Sequence, residues 1–220
     1  MIRLFDAHCH LQFTQFDADR GTILEHMHKS CTSAIVVGTD LATSRSAVEL
    51  AQKHDFLWAS VGLHPNDNKD EEFDMTTFEE LARDPRVVAI GECGLDYFRS
   101  GGTDEPARPN TGHSGGEKTV PLAVAERARQ KKRFEMQIQL ALKIKKPLII
   151  HCRNAHEDML EILFSYSQEF KNKELQAVIH FFTDSAELAQ KYLDLGCYIS
   201  FPGPITYTDM YDDSIRIAPL

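Results

Sequence analysis

Residues 133–163 read RFEMQIQLALKIKKPLIIHCRNAHEDMLEIL. RFEMQIQLALKIKK has helical periodicity, PLIIHC (Pro147 to Cys152) is a short apolar run, and HEDMLEIL from His156 is helical again. The central strand shows no apolar–polar alternation, so it reads as a strand covered on both faces. Such strands belong to parallel sheets flanked by helices. This one also ends in a histidine, His151, where an apolar strand has no need of one.

The same beat runs along the chain. Apolar, β-branched segments recur at IRLFDAHC (Ile2 to Cys9), SAIVVGT (Ser33 to Thr39), LWASVGL (Leu57 to Leu63), VVAIGEC (Val87 to Cys93), QAVIHFF (Gln176 to Phe182) and CYISF (Cys197 to Phe201). Helical patterns separate them, opened by Asp, Ser or Thr, with Gly196 stopping the sixth. Strands alternating with helices predict an α/β chain, either a barrel or a doubly wound sheet. One stretch breaks the beat. Residues 99–125, rich in Gly, Pro, Ser and Thr, read as a mobile loop inserted after the fourth strand of a single domain spanning 1–220.

With 220 residues, 42% of them hydrophobic and 26% charged, the chain has the composition of a soluble globular protein. No apolar run reaches the ~18 residues of a membrane span, and no basic segment leads into an apolar one. A cytoplasmic protein is expected, or a nuclear one in a eukaryote, without membrane partners. The net charge of −9 argues against broad adhesion to nucleic acid through a basic surface. It leaves room for a nuclease, because metal ions in a carboxylate-lined pocket supply positive charge locally. Cysteines at 9, 31, 93, 152 and 197 form no CxxC pair and are odd in number, so reduced thiols are expected.

The polar residues are placed by position. His8 and His10 end the first strand, His64 follows the third, Glu92 ends the fourth, His151 ends the fifth, and His180 lies near the end of the sixth. Five of the ten histidines therefore sit at strand C-termini. In a (β/α)8 barrel those ends converge on one face, where the active site is built. Strand neighbours alternate faces, so His8 and His10 point together while Cys9, Cys93 and Cys152 point toward the helix layer as small buried hydrophobes. A lone strand-end histidine is usually structural. Four histidines and a glutamate on matching ends point instead to a metal site of imidazole and carboxylate.

These residues also carry a resemblance. DAHCHL at Asp6 to Leu11, GLHP at Gly62 to Pro65, GECGLDY at Gly91 to Tyr97, IIHCRNAHEDMLEIL from Ile149, IHFFTDS from Ile179 and YISFPGPIT from Tyr198 resemble the successive motifs of TatD-type metal-dependent deoxyribonucleases. The resemblance implies a TIM barrel and hydrolysis of DNA phosphodiesters, in the manner of a 3′→5′ exonuclease acting on single strands or 3′ ends. It implies two divalent ions, magnesium foremost, with manganese or zinc also accepted. His8 and His10 would ligate one, His151 and His180 the other, with Glu92 bridging. Glu92, His64 and Arg153 would form the catalytic set, His64 and Arg153 holding phosphate. Asp96 either supports a ligand or caps a strand-to-helix turn. A monomer is expected.

Two departures from the family pattern bear on this. The family has an eighth strand ending in an aspartate that ligates the HxH metal, whereas seven strands are countable here. Asp209, Asp212 and Asp213 fall in the preceding helical connection. The expectation is a barrel whose eighth strand lies outside the given sequence. A chain truly ending at Leu220 is expected to bind the HxH metal weakly and to hydrolyse weakly or not at all. Secondly, ERARQKKRFE after the insert carries Arg127, Arg129, Lys131, Lys132 and Arg133, either a grip on a DNA backbone or a solvated helix face. Two rival functions stand beside the nuclease. One is amide or lactone hydrolysis, which in related barrels often uses a bridging carboxylated lysine; the other is a catalytically impaired barrel serving as an interaction protein.

Overall fold

The structure, a computed structural model, describes residues 4–66, 71–98 and 123–218. Seven parallel strands lie in sequence order: β1 (Leu4–Cys9), β2 (Thr32–Val37), β3 (Leu57–Val61), β4 (Val87–Asp96), β5 (Leu148–Arg153), β6 (Ala177–Ile179) and β7 (Tyr198–Ile199). Helices α1 (Arg20–Lys29), α2 (Leu41–Lys53), α3 (Met75–Ala82), α4 (Val124–Ile144), α5 (His156–Ser165), α6 (Ser167–Lys171), α7 (Ala186–Asp194) and α8 (Asp212–Ile217) connect and follow them. The sheet curves into an open half-barrel of the TIM type. Of the predicted 99–125 insert, residues 99–122 lie outside the described residues, and Val124 already opens α4.

Local chemistry explains most boundaries. Asp40 caps α2, accepting from the Thr43 backbone N–H at 2.7 Å, while Thr43 answers the Asp40 N–H through its hydroxyl. Asp74 and Ser185 cap α3 and α7 with their side chains, each accepting from backbone N–H groups of the first turn. Lys145 ends α4 in the left-handed conformation. The core lies between the strands and the inner stripes of the helices, with Phe134, Ile138 and Ala141 of α4 buried together with Ile90, Leu95 and Ile150.

Most strand limits differ somewhat from the sequence reading, and those of β4, β6 and β7 bear on the site. β4 does not end at Cys93 but runs to Asp96, so Glu92 lies inside the strand. Its continuation depends on Gly91 and Gly94, whose φ values are +150° and +134°. A Cβ at Gly94 would collide with the His151 carbonyl. Only glycine lets β4 approach β5 this closely, and the ladder register shifts between Ile90 and Cys93. β6 and β7 are shorter than expected, so His180 falls just beyond β6. The five cysteines form no disulfide. Of the three cysteines read as buried, Cys93 is buried and Cys9 and Cys152 are half-buried; Cys197 is buried as well, and Cys31 is exposed in the turn before β2.

Candidate metal centre

The ends of β1, β4, β5 and β6 and the loop after β3 bring the predicted residues together. Period-two alternation puts His8 and His10 on one side, and the His8 N–H is anchored on Asp6 Oδ1 at 3.0 Å. Their Nε2 atoms lie 3.2 Å apart and face one oxygen of Glu92, Oε2, at 3.2 Å from His8 and 3.7 Å from His10. The other oxygen, Oε1, lies 3.0 Å from His151 Nδ1 and 3.8 Å from His64 Nε2. Glu92 is thus a divider, each of its oxygens serving a different pair of imidazoles. Among the described residues the ligand atoms gather into two groups, His8–His10–Glu92 and His64–Glu92–His151, each within 4.8 Å.

The electrostatics follow from burial set against partners. Burial works to protonate Glu92, but hydrogen bonds from His151 and His8 outweigh it and hold the carboxyl well below the usual carboxylate range. Burial likewise opposes the charge on Asp96, and His151 again wins, lowering it. The His151 ring is clamped at both nitrogens, by Glu92 and, at 3.1 Å, by Asp96 Oδ2. Burial disfavours its charge, but the two carboxylates together raise it to about 9. His10 is lowered by burial, and His180 by burial and then by His8, down to about 3. Those two rings are neutral and carry lone pairs.

The donor set fits a divalent cation. His10 Nδ1 donates to the Val37 carbonyl at 2.8 Å, which leaves its Nε2 lone pair aimed at His8 and Glu92. Two imidazole nitrogens converging on one carboxylate oxygen satisfy each other poorly, and His8 Nδ1 is buried without a hydrogen-bond partner. Imidazole with carboxylate suits the borderline and harder divalent metals.

His180 stacks flat on His8, with ring centroids 3.4 Å apart and planes 8° off parallel. No group of three ligand atoms within 4.8 Å among the described residues includes it. Arg153, at the exposed end of β5, lies over the Phe98 ring at 3.7 Å. Asp96, left open by the sequence, does both things considered for it: Oδ2 meets His151 and Oδ1 accepts from the Phe98 N–H at 2.9 Å in the turn after β4. Much of the basic run on α4 is engaged within the chain. Arg129 pairs with Glu126, Lys131 with Asp158 at 2.8 Å, and Arg133 is buried with a hydrogen bond to the Glu71 carbonyl; Lys132 is exposed. Sequence reasoning passed over Gln12, whose amide donates to Val37 at 2.7 Å, and Gln130 and Gln137, buried polar residues inside the apolar stripe of α4. That stripe, with Gln130, Arg133 and Gln137 spaced three and four apart, was the available signal.

A parallel half-barrel that gathers imidazoles around one shared carboxylate at its strand C-termini is the design of a TIM-barrel metal-dependent hydrolase. The chain belongs to the TatD-related DNase family, whose model matches residues 5–220. It is 34% identical over 206 residues to YabD of Bacillus subtilis, an uncharacterized metal-dependent hydrolase, covering 93% of this chain and 70% of that one. It is 30% identical over 202 residues to the 3′-5′ ssDNA/RNA exonuclease TatD of Citrobacter koseri, covering 91% of this chain and 67% of that one. In fold it matches the crystal structure of the TatD homologue YjjV of Escherichia coli, with a TM-score of 0.77 at 24% identity over 99% of this chain and 75% of that one. Among the described residues no helix is long and apolar enough to cross a membrane.

Proposed function

We propose that this chain is a divalent-metal-dependent nuclease that hydrolyses DNA phosphodiester bonds, taking single strands or 3′ ends. The observation that carries the reading is Glu92, whose two oxygens face two separate histidine pairs. In this reading His8 and His10 hold one ion and His151 the other, with His64 Nε2 facing the same Glu92 oxygen as His151. Glu92 serves both ions, magnesium is the expected metal, and His180, which the resemblance assigns to the second ion, stacks on His8. Bound there, the ions supply a water-derived nucleophile at neutral pH and neutralise charge gathering on the phosphoryl oxygens.

The protein groups have separable tasks. Glu92 stays ionised and holds the two halves of the centre in register. Asp96 keeps one N–H of His151 oriented, so that the other nitrogen presents a lone pair once its proton leaves. Arg153 is assigned to the substrate phosphate, where the planar guanidinium fork matches two oxygens at once, and His64, assigned there by the resemblance, also faces the Glu92 oxygen that His151 meets. The Citrobacter relative, described as an exonuclease on single-stranded DNA and RNA, supports the substrate class. The test is hydrolysis of single-stranded DNA with magnesium or manganese, in wild type and in Glu92→Ala. Metal-dependent cleavage that disappears in the variant is expected. Cleavage surviving Glu92→Ala would remove the reading.

A further inference from the structure

Two buried glutamines on α4 clasp the backbone beside one half of the centre and leave the other half alone. The Gln137 Oε1 accepts from the Leu63 N–H at 2.8 Å, and its Nε2 donates to the Leu63 carbonyl at 3.0 Å. Leu63 is the residue before His64, whose own N–H is bonded to the Thr39 carbonyl at 2.8 Å. Two helical turns away on the same stripe, the Gln130 Oε1 accepts from the Asp96 N–H at 2.9 Å, and its Nε2 donates to the Asp96 carbonyl at 3.1 Å. Asp96 in turn holds His151. Both amides are fully buried.

Each clasp continues the hydrogen bonding of a strand beyond the point where a neighbouring strand could supply it. Both donor and acceptor of the clasped residue are satisfied by one planar side chain, which removes the freedom of that residue to rotate its peptide. Leu63 and Asp96 both adjoin the His64–Glu92–His151 group. The His8–His10 side is held by other contacts, His10 and Gln12 on the Val37 carbonyl of β2, with no such clasp from α4 among the described residues. The support of the two halves is therefore asymmetric.

We infer that Gln130 and Gln137 are positioning residues for the His64–Glu92–His151 half of the centre, so that α4 sets the affinity of that half for its divalent ion independently of the His8–His10 half. The inference rests on the metal reading proposed above. Residues that orient ligands in this way change metal affinity by about 10–100-fold when removed. A rigid helix bonded to two ligand-bearing strand ends is the expected route for such control.

The experiment titrates the full chain with manganese, following free ion by electron paramagnetic resonance, without substrate. Wild type is expected to show two binding events, and His151→Ala identifies one by abolishing it. Gln130→Met and Gln137→Met keep the side-chain volume and lose the clasp. Each is expected to weaken the His151 event by about tenfold or more and leave the other unchanged. Gln137→Asn, shorter by one methylene, serves if the methionine variant fails to fold. Phe134→Leu, on the same helix and buried between them, reports what destabilisation of α4 alone does. Equal weakening of both events in the glutamine variants, as in that control, overturns the inference, as does no weakening of either. A wild-type chain that takes up no manganese overturns the metal reading itself, and the inference with it.

Discussion

The clamp on His151 makes the metal-free protein sensitive to alkaline pH, with a sign that can be worked out. Both ring nitrogens face carboxylates, and the folded chain keeps the ring charged up to about 9, against an ordinary value of 6.5. A basic group whose pKa rises on folding stabilises fully below the unfolded value. That contribution is lost as pH climbs through the folded value. At 1.36 kcal/mol per decade of proton affinity, the loss between 6.5 and about 9 is ~3 kcal/mol. Glu92 and Asp96 are lowered, so they stay ionised across this window and do not mask it. His10 and His180 act on the other side: their pKa values are lowered, so their contribution is present above 6.5 and fades as pH falls. Stability of the metal-free chain therefore peaks near neutrality and declines on both flanks.

Urea unfolding in the presence of a chelator measures this, followed by fluorescence of Trp58, the one tryptophan of the chain. The midpoint is expected to fall across the alkaline window with an unchanged slope against urea. The variant His151→Gln is expected to be less stable at neutral pH and to lack the alkaline decline. A flat alkaline limb in wild type, or the same decline in His151→Gln, would refute the assignment of the clamp.

Two further outcomes follow from the packing. Gly94→Ala forces a side chain onto the His151 carbonyl and a left-handed φ onto alanine, so a loss of ~2 kcal/mol or more is expected in chemical denaturation; a variant as stable as wild type would contradict the close approach of β4 to β5. Arg133→Met removes a buried guanidinium bonded to the Glu71 carbonyl, so it should lower the melting temperature, by a loss of about 1–3 kcal/mol, and leave the salt dependence of single-strand binding unchanged. A reduced salt slope would instead put Arg133 on the substrate.

The fold was legible because its signals are local. Apolar runs without alternation, such as LIIHC, are strands of a covered parallel sheet wherever they occur, and the helices between them announce their ends with Asp40, Asp74 and Ser185. The candidate ligands were legible because four histidines and a glutamate fall on matching strand ends, a coincidence that packing alone does not ask for. What could not be read was which imidazole meets which, because that depends on register between strands. Gly94 and Asp96 lie opposite His151 and Arg153, whereas the last pair joining β5 to β6 is Ile150 with Ile179. Beyond that pair β5 has only β4 as a ladder neighbour, so His151 turns its nitrogens to Glu92 and Asp96 while His180 settles on His8. The helix α4 hid its meaning differently. ERARQKKRFE is a basic run in one dimension, but the three-four spacing rolls Gln130, Arg133 and Gln137 onto the buried stripe with Phe134. Position along the chain told which residue types were present, and only the helical phase told which of them faced the centre.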